Sequence, residues 1–299
     1  MPPEPTTATP LSPPPVPLPS SKASGFKVLL FGGIGTGKTY SIGSLADTGL
    51  KVRCLFTEQG LDTLGRYFVD QGKKIPPQYA WHYVPMSQVG FPAMLKMTER
   101  LQTHDLETLT KLPANLIGKD STGEFRSILG SLANFQDDRT GRSFGSVETW
   151  GNDTVLVLDS FTGLCDAMSL LQCGLRPIKS MADWQIIQNH VERLMTLISQ
   201  LNCHVVVTGH WEREQDEVTG QQIITISGPG KKLAPRLGRP FSDVLIARRD
   251  AENYYWSANT PNADLKTRHL ARSDRLPPSF APLYKNWLKF AEAGDAASA

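Results

Sequence analysis

The sequence predicts an α/β fold: a mostly parallel sheet flanked by helices, with antiparallel strands added at one edge. Three observations point there. Short apolar runs of strand length alternate with segments patterned at helical spacing, as βα units do. The first of these runs leads straight into a glycine-rich turn and then a helix. Late in the chain, three strand-like runs lie close together, which suits antiparallel additions at an edge.

Residues 1–24, MPPEPTTATPLSPPPVPLPSSKAS, are expected to form a disordered tail. They hold nine prolines and almost no large apolar side chains. Proline removes a backbone donor and favours extended polyproline geometry, so such a segment does not pack. Its PxxP spacing would also suit an SH3-type groove. It has neither the basic start nor the apolar centre of a secretory signal. A folded domain is expected over 25–290, with 291–299 a flexible end.

Within that domain, FKVLLF (26–31) has the length and apolarity of a buried strand. KTYSIGSLADTG then reads as a helix ending near Gly49. KVRCLF (51–56) and AWHYVPM (80–86) are two further strands, and FPAMLKMTERLQ after them has helical spacing. Residues 104–150 are polar and glycine-dotted, with a helix expected around 124–135. TVLVLDS (154–160) is a clear strand, MADWQIIQNHVERLMTLISQLN (181–202) a long helix, and CHVVVTGH (203–210) another buried strand. QQIITIS near 222–228, FSDVLIAR and NYYWSAN read as the late, hairpin-forming strands.

Composition narrows the function classes. Against 31 Lys and Arg stand 29 Asp and Glu, a net charge of +2, so any nucleic-acid surface must come from a local cluster. Cys54, Cys165, Cys173 and Cys203 form no CxxC pair and sit in or near apolar runs. That pattern suits reduced, buried thiols in a cytoplasmic protein rather than zinc or disulfides. No apolar stretch approaches the roughly 18–20 residues that cross a bilayer, so no membrane partner is expected.

The glycine-rich turn carries the chemistry. Gly32, Gly33, Ile34, Gly35, Thr36, Gly37, Lys38 and Thr39 fit GxxxxGK[ST] at every fixed position. Glycines let successive N–H groups curl toward phosphate oxygens, and the following helix aims its positive end at the same anion. Lys38 can reach the β- and γ-phosphates, and the Thr39 hydroxyl can bind Mg²⁺. Tyr40 completes the nucleotide-binding stretch, so ATP and Mg²⁺ are the expected cofactors. Asp159, closing VLVLD, has the form of the acid that orders the metal, although an ordinary strand-end aspartate looks the same. Ser160 follows it where many P-loop ATPases carry a glutamate base. The base must then come from elsewhere, and Glu58, just past the second strand, is the candidate. A surface glutamate opening a helix would occupy the same position.

Together, GGIGTGKT, LFTEQGLD and VLVLDS resemble the core of RecA- and DnaB-type ATPases. That resemblance implies a RecA-like P-loop core with Glu58 as the catalytic glutamate and a serine after the magnesium aspartate. It implies that His210, ending VVVTGH, senses the γ-phosphate, where RecA itself carries glutamine. DLKTRHL resembles the Lys-x-Arg pair that such oligomers insert into a neighbour's site. Lys266 and Arg268 would then share one face of a strand; a solvated basic edge strand would look alike. The whole chain is similar to small phage-encoded RecA-like ATPases linked to single-strand annealing and recombination, which implies a place in the host cytoplasm. The resemblance spans about 26–290.

In RecA-like proteins a DNA-binding loop follows the histidine strand. Here that region holds Lys231, Lys232, Arg236, Arg239, Arg248 and Arg249 against one acid, Asp243. Cations in a row suit sequence-blind phosphate contacts, and they equally suit a solvated face. A second candidate loop, 166–184, carries Arg176 and Lys179. The expected partners are single-stranded DNA, further copies of the chain in a ring or filament, and a single-strand-binding protein. The alternatives are a nucleotide-gated scaffold with little hydrolysis and a P-loop small-molecule kinase. A GTPase is disfavoured, because no [NT]KxD motif is present.

Overall fold

A computed structural model of the chain describes residues 24–85, 95, 123–173, 178, 180–215, 220–230, 233–251 and 253–297. The expected tail over 1–23, most of the helix expected after residue 90, and Arg176, Lys179, Lys231 and Lys232 lie outside the described residues.

The chain opens with β1 (Lys27–Gly32) and α1 (Lys38–Ser41), which tightens into a 3₁₀ helix over Ile42–Thr48. Next come β2 (Lys51–Phe56), α2 (Leu61–Asp70), β3 (Tyr79–Tyr83) and α3 (Glu124–Ala133). The centre holds β4 (Thr154–Asp159), α4 (Phe161–Cys173), α5 (Met181–Gln200) and the long β5 (His204–Gln215). The chain continues through β6 (Gln222–Ile226), α6 (Ala234–Leu237), β7 (Asp243–Arg249), β8 (Tyr254–Ser257) and α7 (Ala281–Ala297). The sheet runs β3-β2-β4-β5-β1-β7-β8, with β6 paired to β5. This is a mostly parallel sheet with helices on both faces, the α/β architecture expected from the sequence.

Side-chain alternation along each strand divides the core in two. Leu29, Phe31, Leu156, Leu158, Val205 and Val207 face α4 and α5. Val28, Leu30, Val155, Val157 and Val206 face the 38–48 helix, α2 and α7. Because both faces are covered, β1 and β4 are buried at every residue, and this is why they read as unbroken apolar runs.

Four expectations need correction. β7 is not an antiparallel addition: it pairs parallel with β1, because Val244 and Ile246 fill one core and Leu245 and Ala247 the other. Among the described residues, β8, antiparallel to β7, extends that edge. Residues 166–173 are not loop but the second half of α4, with Ala167 and Met168 in the core. Lys266 and Arg268 do not share a strand. Lys266 makes one isolated bridge to Val244, and the chain bends from Arg268 onward. α7 continues to Ala297, through residues assigned above to a flexible end.

The free edge of β3 is covered by residues 134–145. Trp81 N donates to Asp137 Oδ1 at 3.1 Å, Tyr83 N to Asp138 Oδ2 at 2.8 Å, and Arg139 Nη2 to Tyr79 O at 2.7 Å. A sheet edge left bare would offer those groups to another chain.

The four cysteines are free and buried. His204 is buried too, and its tautomer is fixed. Its Nδ1 accepts from Phe26 N at 3.0 Å, so Nε2 carries the proton toward Asn152 O, 2.9 Å away. Burial lowers its pKa to about 3. The unfolded chain therefore binds a proton that the folded chain refuses as pH falls below the ordinary histidine value. Folding stability is expected to be full near neutral pH and to decline below about pH 6.5, approaching about 1.4 kcal/mol per pH unit from this one group. Urea unfolding of wild type and His204→Gln between about pH 5 and pH 7 tests this; equal slopes in the two proteins would refute it.

Candidate functional site

β1 delivers the glycine-rich turn to the carboxyl end of the sheet. Gly37 enters the helix with φ 82°, a left-handed conformation natural only to glycine. At Gly33 a Cβ would lie 2.7 Å from the Trp211 indole nitrogen, so only glycine lets that ring pack on the turn. Lys38 Nζ donates to Gly32 O at 3.0 Å and to Gly33 O at 2.9 Å. Burial lowers its pKa, and the nearby Asp159 and Glu58 carboxylates oppose that shift. Ile34 stands at the crest of the turn, 87% exposed. Tyr40 stacks on Tyr254 with ring centroids 6.4 Å apart, beside Gly37.

Asp159 ends β4 within reach of this turn. Its Oδ2 accepts from Thr39 Oγ1 at 2.8 Å, and its Oδ1 accepts from Thr208 Oγ1 on β5. The carboxylate is fully buried, which raises its pKa; the two hydroxyls pull it back down. A hydroxyl and a carboxylate side by side, next to a phosphate-sized turn, suit a hard divalent cation that prefers oxygen ligands. The residues present therefore fit Mg²⁺. The Asp159–Ser160 peptide bond is cis. Thr57 Oγ1 clasps Ser160, accepting from its N–H and donating to its carbonyl, each at 2.9 Å.

Glu58 lies two residues past β2. Ser160 Oγ donates to its Oε1, and His210 Nε2 faces its Oε2 at 3.5 Å. His210 lowers the Glu58 pKa most; burial opposes, and the Ser160 hydroxyl and Lys38 lower it further. The side chain is 43% exposed, so its carboxylate is charged, oriented by two partners and open to water. A carboxylate held in this way can take a proton from a water molecule. The backbone N–H of His210 donates to Thr162 Oγ1 at 3.1 Å, which ties this part of β5 to the start of α4.

The structure thus brings Lys38, Thr39, Asp159, Glu58 and His210 together. Sequence reasoning missed Thr57, Thr208 and the role of Ser160 as a donor. Thr208 left a signal: a hydroxyl inside the buried run VVVT must find a partner there.

Among the described residues, the predicted basic side chains fall at two places, Arg236 and Arg239 by α6 and Arg248 and Arg249 at the end of β7. Arg236 sits on α6, 3.6 Å from Glu192 of α5. The Arg239 carbonyl accepts from Lys266 Nζ at 2.9 Å. Arg248 and Arg249 end β7, beside the glycine-rich turn, with Arg249 near Gly35. Lys266 and Arg268 lie at the start of β7. Val28 aligns with Asp243 there, whereas Gly32 aligns with Ala247. Four residues of strand, about 13 Å, separate the pair's level from that of the glycine-rich turn. Phe241 is core, and Trp184 is half-buried near Gly230.

A family model described as an AAA domain matches residues 24–269. No curated protein sequence matches. Among solved structures, the RadB recombinase is similar at 16% identity, over 85% of this chain and 86% of that one, with a TM-score of 0.42. A prototypical ATPase from the type III secretion system of pathogenic bacteria is similar at 12% identity, over 76% of this chain and 53% of that one, with a TM-score of 0.37.

Thr208 provides a local test of the geometry. Thr208→Val keeps the shape and leaves a buried Asp159 oxygen without its donor. The expected cost is about 1–3 kcal/mol in urea unfolding. An unchanged midpoint would mean that the hydroxyl contributes nothing to holding Asp159.

Proposed function

The chain belongs to the AAA-domain family, and we propose that it is a magnesium-dependent ATPase acting as a homo-oligomer on single-stranded DNA. The observation that carries hydrolysis, rather than binding alone, is Glu58. It is held by Ser160 and His210 at the mouth of the phosphate loop, beside the Thr39–Asp159 pair.

Bound Mg²⁺ would neutralise phosphate charge and hold the phosphates in place. Thr39 and Asp159 are the residues that would hold it. Lys38 would exchange the carbonyls of Gly32 and Gly33 for phosphate oxygens, with backbone N–H groups of 33–39 completing the cradle. Glu58 accepts the proton of the attacking water. Lys266 and Arg268 of a neighbouring copy stabilise the charge that develops. Their place at the far end of β7 from their own loop supports action in trans.

The continuity of β5 supports DNA coupling. It runs from the parallel sheet through His210 into a hairpin with β6, where Trp211 rests on Gly33 and exposed Arg213 lies over the Trp211 ring. A ligand that moved the hairpin would therefore press on His210 and on the phosphate loop together. The similarity to phage annealing ATPases supports a role in phage recombination, annealing or replication, alongside a single-strand-binding protein.

The test is ATP turnover with and without single-stranded DNA. Wild type is expected to be stimulated by DNA. Lys38→Ala is expected to abolish turnover, and Glu58→Gln to lower it about 10²–10⁴-fold, the usual contribution of a general base. Turnover indifferent to DNA would sink the DNA-coupled reading, and a fully active Glu58→Gln would remove the base. On gel filtration with a non-hydrolysable ATP analogue and DNA, the protein is expected to run as an oligomer. A monomer alone would refute the trans pair.

A further inference from the structure

Asp243, the first residue of β7, is 0% exposed and accepts five hydrogen bonds. Oδ1 takes Thr267 Oγ1 at 2.8 Å, Arg268 N at 2.9 Å and His269 N at 3.1 Å. Oδ2 takes Ser242 Oγ at 2.8 Å and His269 Nδ1 at 2.7 Å. Four of the five donors come from three consecutive residues. Burial alone would raise the Asp243 pKa, but the His269 ring and backbone hold it at about 2.

This carboxylate shapes the segment that carries the basic pair. The chain at 267–269 curls around Asp243, so His269 turns inward and Arg268 outward. The bend is fixed on two further sides. Lys266 exchanges backbone hydrogen bonds with Val244, and Asn286 Nδ2 of α7 donates to His269 O at 2.7 Å. Arg268 opens onto a groove of about 430 Å³ that it lines with Leu270, Lys289 and Phe290, the last 58% exposed. The segment has no helix or ladder of its own beyond one bridge, so its conformation depends on these contacts. A buried carboxylate is a costly way to gain stability alone, because its desolvation offsets most of what its partners return.

We propose that Asp243 is the positioning residue for Lys266 and Arg268: it preforms the turn that this chain presents to the nucleotide site of a second copy. The inference rests on the trans reading above. Asp243 touches no nucleotide itself and acts through the backbone of 267–269.

Mixed oligomers separate the two ideas. Asp243→Asn keeps its own phosphate loop and Glu58, whereas Lys38→Ala keeps an intact Asp243 turn. Alone, Asp243→Asn is expected to lose about 10²-fold in DNA-stimulated turnover, the scale of a catalytic group displaced by about 1 Å. Its affinity for a fluorescent ATP analogue should stay near that of wild type. Mixed in equal parts with Lys38→Ala, itself inactive, it should regain activity, because about one interface in four then joins a working loop to a working turn. Arg268→Ala mixed with Lys38→Ala is the reference.

If the reference mixture recovers and the Asp243→Asn mixture does not, Asp243 supports the subunit as a whole and the positioning role is overturned. Wild-type turnover in Asp243→Asn alone overturns it equally. If the reference mixture stays inactive, the trans reading fails and this inference falls with it. Should Asp243→Asn not fold, Thr267→Val removes one donor from the same clamp and is read in the same mixtures.

Discussion

The candidate site depends on one buried carboxylate. Asp159 closes β4 as a buried side chain, and its two oxygens are divided between Thr39 of the phosphate loop and Thr208 of β5. An unpartnered charge there would cost several kcal/mol, so both hydroxyls have to arrive. Parallel pairing brings them. β5 lies between β4 and β1 and aligns Val207 with Leu158 on one side and Thr208 with Leu30 on the other. The loop leaving β1 then sets Thr39 beside the carboxylate. A slip of one residue in any of these pairings would turn a hydroxyl or the carboxylate toward the opposite core.

The same alternation sorts the reactive groups. Val206, Thr208 and His210 follow one another along one face of β5, the face of the 38–48 helix. Gly209 and Trp211 take the other face. β5 thus carries a donor for the metal acid, a partner for the glutamate and a ring against the phosphate loop within four residues. No loop intervenes between them. A displacement of the outer half of β5 therefore reaches all three, which is a mechanical reason to expect the hairpin and the nucleotide site to respond together.

How much of this was legible in the sequence follows the range of each interaction. The phosphate loop was readable because its chemistry is local: a strand, a tight turn and a helix within some fifteen residues. Asp159 and Glu58 were readable because strand ends place them and the apolar runs mark the strands. Thr57, Thr208 and Ser160 were not assigned, since each acts on a residue 49 to 103 positions away through pairings that no local pattern encodes. β7 misled for a related reason. An apolar run among polar hairpins looks like an edge strand until its neighbour, β1, is known. In the basic stretch 231–249, Arg236 and Arg239 lie on and just after α6, whereas Arg248 and Arg249 end β7 beside the glycine-rich turn, so cations close in sequence stand at two places.

That separation has a consequence for assembly. The phosphate loop stands at the carboxyl end of β1, level with Ala247, and the Asp243 turn stands at the opposite end of β7. For the pair on one copy to serve the nucleotide of another, two different ends of the subunit must meet. A two-fold dimer meets that demand when both contacts form at once, since residue i of each copy then meets residue j of the other. A head-to-tail contact meets it once per interface, and repeating it yields a ring where the rotation closes and a filament where it does not. A subunit with this pair beside its own loop would need no neighbour, whereas Lys266 and Arg268 stand at the opposite end of the sheet from theirs, the separation that the proposed trans chemistry requires.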